Sequence, residues 1–113
     1  MSEAAQTGSE FVFVYTPLPD RETAEEMAET LVVNGFSACV NIFPGVVSYY
    51  QWEGEIQRDE EVVAFIKTRR SMVAQVIDAA RDLHPYDVPA FLVLPIDDAN
   101  ADYLEWARGQ VKS

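Results

Sequence analysis

The apolar positions change period along the chain, and each change marks an element. Phe11-Val12-Phe13-Val14-Tyr15 is an unbroken β-branched and aromatic run, the pattern of a strand buried on both faces. Thr16-Pro17-Leu18-Pro19 is expected to end it, because proline donates no ladder hydrogen bond. The period then turns helical: Ala24, Met27, Ala28, Leu31 and Val32 line one face. Asp20 is placed to cap this helix, and Gly35 to stop it. Glu22, Glu25 and Glu26 fall in its first turns, where the helix dipole favours anions. Ser37 to Trp52 reads as one long strand, with a bulge or bend expected at Pro44-Gly45.

Glu53-Gly54 predicts a tight hairpin turn. The return strand looks irregular through Gln57-Arg58-Asp59 and clear from Glu61 to Thr68. There Val62, Ala64 and Ile66 face one way, and Val63, Phe65 and Lys67 the other. Ser71 can cap a second helix with Val73, Val76, Ile77 and Ala80 on its apolar face. Pro85 ends that helix and pushes His84 out of helical geometry. Phe91-Leu92-Val93-Leu94 is expected as the last core strand, between Pro89 and Pro95. A terminal helix from about Asn100 carries Tyr103, Leu104, Trp106 and Ala107.

The order β-α-β-β-α-β plus a helix predicts an α+β chain of the ferredoxin-like split βαβ type. Right-handed crossovers give a four-stranded antiparallel sheet with both helices on one face. The other face would be bare in a monomer. With Tyr49, Tyr50 and Trp52 on the long hairpin, that is more apolar surface than two helices cover. Such a surface marks an interface, so an oligomer is expected. Residues 1–10 read as a disordered tail and 11–113 as one domain, as 113 residues suggest.

Charge narrows the partners. A net charge of −11 repels phosphate backbones and anionic membranes, so neither nucleic acid nor membrane is an expected partner. The third strand also lacks the glycine-aromatic run of RNA-recognition domains, which share this element order. No apolar run is long enough to span a bilayer, and residues 1–10 do not resemble a signal peptide. With one free cysteine, the cytoplasm is the expected compartment. One cysteine and one histidine exclude an internal disulfide and any two-histidine motif within a subunit.

Few groups can carry chemistry. His84, followed by Pro85-Tyr86-Asp87, can be a metal ligand or proton carrier, or its ring can bond the last helix carbonyls. Cys39 is a small buried hydrophobe or a thiolate. Glu61 and Lys67 share a strand face and can anchor a ligand or form an ordinary ion pair. Trp52, Tyr86 and Trp106 can line a pocket or fill an interface. No nucleophile–base spacing, serine elbow or phosphate loop is present, so no enzymatic activity is expected.

Several words in one order resemble the CutA divalent-cation-tolerance family. They are Ala38-Cys39-Val40-Asn41-Ile42, Pro44-Gly45-Val46 and Ser48-Tyr49-Tyr50-Gln51-Trp52-Glu53-Gly54. Ile66-Lys67-Thr68, His84-Pro85-Tyr86-Asp87-Val88-Pro89 and Tyr103-Leu104-Glu105-Trp106 complete the set, over about residues 11 to 108. The resemblance implies a ferredoxin-like fold, a tight homotrimer of PII-like architecture with hairpins packed between subunits, and a role in tolerance of divalent cations. It also implies copper binding in some members. It suggests His84 and Cys39 as metal candidates, and puts Trp52, Glu61, Lys67 and Tyr86 near intersubunit clefts. Tyr15 and Leu83 stand where some members carry a cysteine and a second histidine, which removes two copper-favouring donors. Asp87 replaces the more usual Glu or Gln.

Two functions follow as expectations. One is a homotrimer that binds divalent cations, copper or zinc, through His84 with Cys39 or carboxylates, with no obligatory cofactor. The other is a PII-like module that holds a small anion or metabolite in intersubunit clefts, with Lys67 as anchor and Trp52 and Tyr86 as walls.

Overall fold

Two long antiparallel strands form the backbone of the fold. In the computed structural model, which describes residues 4–6 as backbone and residues 10–112, they are β3 (Cys39–Trp52) and β4 (Glu55–Arg69). Before them come β1 (Ala4–Gln6), β2 (Phe11–Leu18) and α1 (Arg21–Val33). After them come a 3-10 turn (Arg70–Met72), α2 (Val73–Leu83), β5 (Leu92–Pro95), β6 (Asp98–Asn100) and α3 (Ala101–Gln110). The main sheet has the order β3-β4-β2-β5 and is antiparallel throughout. This is the ferredoxin-like arrangement that the element order predicts. No helix among the described residues is long and apolar enough to cross a membrane.

β4 pairs with both neighbours, so its alternation sets both layers. Val62, Ala64 and Ile66 point into the core with Leu18, Met27, Leu31, Val76 and Ala80. On the opposite face the Phe65 ring meets Phe13, Tyr15 and Phe43 edge-on, at centroid distances of 5.8, 5.4 and 5.3 Å. Directly paired residues share a face, so Leu92, opposite Tyr15, and Leu94, opposite Phe13, extend this aromatic surface. Leu92 is 56% exposed.

The hairpin is pinned at two points. Glu53 and Gly54 both have positive φ, 52° and 83°, as a two-residue turn between twisted strands requires. At the other point the register shifts between Phe43 and Val46, and Gly45 sits at φ 76°. Pro44 and Gly45 together oppose Val62 alone, so the expected bulge is there.

Several elements differ from their sequence-based expectation. β2 does not stop at Thr16 but runs through Pro17 to Leu18. In an extended strand the N–H and C=O of one residue point the same way. The Pro17 carbonyl accepts from His84, away from β4, so the missing N–H costs no ladder bond. β4 is regular from Glu55, because the turn pairs it at once with Trp52. Ser37 precedes β3 and ties it down, its single hydroxyl proton lying between the carbonyl oxygens of Cys39 and Lys67, at 2.9 and 2.8 Å from the hydroxyl oxygen. Ser71 does not cap α2: it lies within the 3-10 turn, and Met72 takes the cap position without a side-chain bond. β5 is an exposed edge strand rather than a core strand, because only β2 borders it. Val32 turns outward, 44% exposed, while Asp20 and Gly35 act as expected at the ends of α1.

Most of the expected tail, residues 1–10, lies outside the described residues. Within that span Ala4–Gln6 pairs with Asp98–Asn100. Glu10 accepts two bonds from Arg108, at 2.8 and 2.9 Å, and one from Arg69 at 3.3 Å. Its carboxylate therefore ties the start of β2 to the end of β4 and to α3.

Leu31 is fully buried and its neighbour Val32 is not. Leu31→Ala should cost about 2–5 kcal/mol through lost burial and a residual cavity. Val32→Ala should stay within about 0.5 kcal/mol. Urea unfolding of the two variants checks the assignment.

Candidate functional site

The bulge decides which side chains meet Glu61. Before it, odd-numbered residues of β3 share a face with odd-numbered residues of β4, as in Phe43 opposite Val63. After it, even-numbered residues of β3 do so: Val46 opposes Glu61, Ser48 opposes Asp59, and Tyr50 opposes Gln57. One extra residue thus brings Tyr50 and Trp52 onto the face of Glu61. The Tyr50 hydroxyl donates to the Asp59 carboxylate.

The loop after α2 supplies the opposite wall. Pro85 ends the helix, and His84 becomes extended at φ −85°, ψ 127°. The chain turns back so that the Tyr86 hydroxyl donates to Glu61 Oε2 at 2.6 Å. Glu61 is only 8% exposed. Burial, followed by the bond to Glu61, holds the Tyr86 phenol well above its ordinary pKa. The Asp59 bond raises that of Tyr50. At neutral pH both phenols keep the protons that they donate.

His84 clamps this loop. Nε2 lies 2.8 Å from the Pro17 carbonyl oxygen, and Nδ1 lies 3.3 Å from the Tyr86 backbone nitrogen. A carbonyl only accepts and a backbone N–H only donates, so the proton is on Nε2 and the Nδ1 lone pair is taken. The ring also packs on Tyr86 and Phe91, at 4.8 and 5.7 Å. Burial lowers the His84 pKa, against the opposing pull of the Pro17 carbonyl and the Glu61 charge.

Between hairpin and loop is a cavity of about 600 Å³. Its walls include Tyr49, Tyr50, Trp52, Glu61, Tyr86 and Asp87. Of the residues singled out from sequence, Trp52, Glu61 and Tyr86 come together here, with His84 behind Tyr86. Lys67 does not join them within one chain. It is six residues from Glu61 along one strand, about 20 Å at ~3.3 Å per residue, and its ammonium lies 3.5 Å from the Tyr103 hydroxyl. Cys39 pairs with Lys67, and Pro17, which His84 binds, pairs with Val63. Cys39 and His84 are therefore about 13 Å apart along the sheet. Trp106 is on α3 against Tyr103, outside the cavity lining.

These donors do not fit a resident metal within one chain. Both nitrogens of His84 are engaged, Cys39 is distant, and no group of three His, Cys, Asp or Glu side chains converges among the described residues. Tyr50 and Asp59 are site residues that sequence reasoning missed. The signal was present in Pro44-Gly45: a bulge implies a change of face for every later residue of β3.

Comparison with known proteins gives a consistent result. The family model described as CutA1 divalent ion tolerance protein matches residues 12–110. The chloroplastic protein CutA of Arabidopsis thaliana is 38% identical over 113 residues, covering 100% of this chain and 62% of that protein. The divalent-cation tolerance protein CutA of Pyrococcus horikoshii is 41% identical over 101 residues, covering 89% of this chain and 98% of that protein. Among solved structures, CutA from Synechococcus elongatus superposes with a TM-score of 0.92 at 28% identity, covering 98% of this chain and 97% of that one. The chain thus spans under two thirds of the plant relative and nearly all of the archaeal one.

A histidine whose pKa is depressed by folding takes up its proton first in the unfolded chain. Stability should therefore fall as pH drops from about 6.5. Urea unfolding at pH 7.5 and 5.5 should show a larger loss in wild type than in His84→Gln. Glu10 and Asp20, whose pKa values are lowered by Arg108 and by the Thr23 N–H, lose their contributions only in more acidic solution.

Proposed function

The chain belongs to the CutA1 divalent ion tolerance family, and from that premise we propose that it serves divalent-cation tolerance as a homotrimeric ligand-binding protein. The cavity between the hairpin and the Tyr86 loop is the proposed site, taking a small molecule. The observation that carries this is the cavity itself, walled by Trp52, Tyr50 and Tyr86 around the buried Glu61 carboxylate. The volume is within the range of about 300–1,000 Å³ usual for small-molecule pockets.

The trimer is supported by the aromatic face around Phe65, continued by Leu92 and Leu94, where Phe43 and Leu92 are 52% and 56% exposed. A contiguous surface of this kind marks an association site. Binding rather than catalysis fits His84, whose two ring nitrogens are both engaged by backbone groups. The free thiol of Cys39 suits a reducing compartment such as the cytoplasm.

A second reading keeps direct binding of copper or zinc. The net charge of −11 favours it, because carboxylates spread over the surface attract divalent cations weakly and without fixed geometry. An anion held by Lys67 has less support, since that side chain lies far from the cavity within the chain.

Native mass spectrometry of chelator-treated protein, titrated with copper and zinc, tests the proposal. The expected result is a trimer of the 12.7 kDa chain with scattered, non-saturating metal adducts. A fixed number of ions per trimer that disappears in His84→Gln would restore a metal site there. A monomer would remove the trimer from the proposal.

A further inference from the structure

The polar groups around the cavity are unequal in kind. Tyr50 and Tyr86 could have donated to a ligand, but each gives its proton to a carboxylate, Asp59 and Glu61. A carboxylate offers about four lone-pair sites, and the Tyr86 bond uses one of those on Glu61. Asp87 adds a second carboxylate to the lining. None of the eight lysines and arginines lines the cavity. The nearest along β4, Arg58, is not in the lining and pairs with Glu60 at 3.5 Å. The site is therefore negatively charged, with Glu61 and Asp87 as its charged groups, while Ser48, Gln57 and the Trp52 indole N–H add only neutral donors and acceptors.

Its apolar walls narrow the ligand further. Trp52, Tyr50 and Tyr86 contribute aromatic rings to the lining, and aromatic π-faces attract cations, most strongly where water is excluded. A hard divalent ion gains little from such walls and wants six or more oxygen ligands around it. Here no three ionisable ligands converge among the described residues. Within the chain an anion would meet two carboxylates and no lysine or arginine of the lining. An organic cation gains from every element: N–H donors meet Glu61 and Asp87, and an apolar stem lies on the rings.

We propose that this cavity binds a small organic cation bearing N–H donors, a protonated amine or a guanidinium, with Glu61 as anchor and Trp52 as aromatic wall. The inference rests on the reading of the cavity as a ligand site and names the class of ligand. Glu61 is the determinant of charge preference. Trp52, 46% exposed, is positioned to report occupancy by its fluorescence.

The test uses the intact protein carrying Trp106→Phe, so that Trp52 is the remaining indole. Butylammonium and agmatine are the cationic probes, butyrate the anionic counterpart and zinc chloride the metal. The expected result is a saturable change of Trp52 emission with both cations and none with butyrate. Affinity should drop at least tenfold in Glu61→Gln, which keeps a carbonyl to accept from Tyr86. It should also weaken as salt is raised, a readout that needs no variant. A response to butyrate equal to that of the cations would overturn the cation preference while leaving the cavity as a ligand site. A zinc response that saturates at stoichiometric concentration and blocks butylammonium would replace the organic cation by a metal. Silence with every probe would overturn both the cation proposal and the cavity reading.

Discussion

Everything in this molecule hangs on the alternation of β4 while it is paired on both sides. A strand held by two neighbours cannot slip by one residue without exchanging all its side chains between faces. Val62, Ala64 and Ile66 must go under the helices, so Val63 and Phe65 must go to the opposite face. The same parity carries Glu61 to the cavity, just beyond Val62, where β2 makes its last pair. Core, exposed aromatic face and candidate site are thus set by one register. A change that shifted it would damage all three together.

Polar groups near Glu61 are arranged around that fixed carboxylate. Tyr86 reaches it only because Pro85 breaks α2 and His84 holds the returning loop. The imidazole bridges a carbonyl of β2 and an N–H of the loop, so the only histidine of the chain is spent on structure. Its contribution is indirect but specific: by fixing Tyr86 it fixes the direction of the Glu61 bond. A half-buried phenol–carboxylate pair of this sort leaves charge in the cavity while satisfying the donor.

The elements were legible wherever a local period was strong. The alternation of β4, the cap at Asp20, the turn at Glu53-Gly54 and the bulge at Pro44-Gly45 all have short-range causes, and the structure has them at those residues. What local pattern could not give depends on which strand lies beside which. Proline at position 17 looks like a strand end until the open side of β2 is known. Phe91-Leu92-Val93-Leu94 looks like core until β5 is found at the sheet edge. The candidate site divides in the same way. Trp52, Glu61 and Tyr86 were recognisable as residue types. Their separation from Lys67 and Cys39 is a matter of distance along one strand, which a shared face conceals.

The geometry of the hairpin ties the cavity to assembly. β2 ends opposite Val62, so from Val46 to Glu61 the sheet is a ribbon of two strands. It projects along a molecule whose principal extents are 52 × 28 × 22 Å. A two-stranded ribbon is marginal in water by itself. Here Tyr49 and Ile56 are exposed on it, and the Tyr86 loop braces its base through Glu61. In the proposed trimer, neighbouring copies would supply apolar surface against it, and a ligand touching Trp52 would sense whether they are in place. Binding and association would then be coupled through the ribbon: whatever orders it for one lowers the entropic cost of the other.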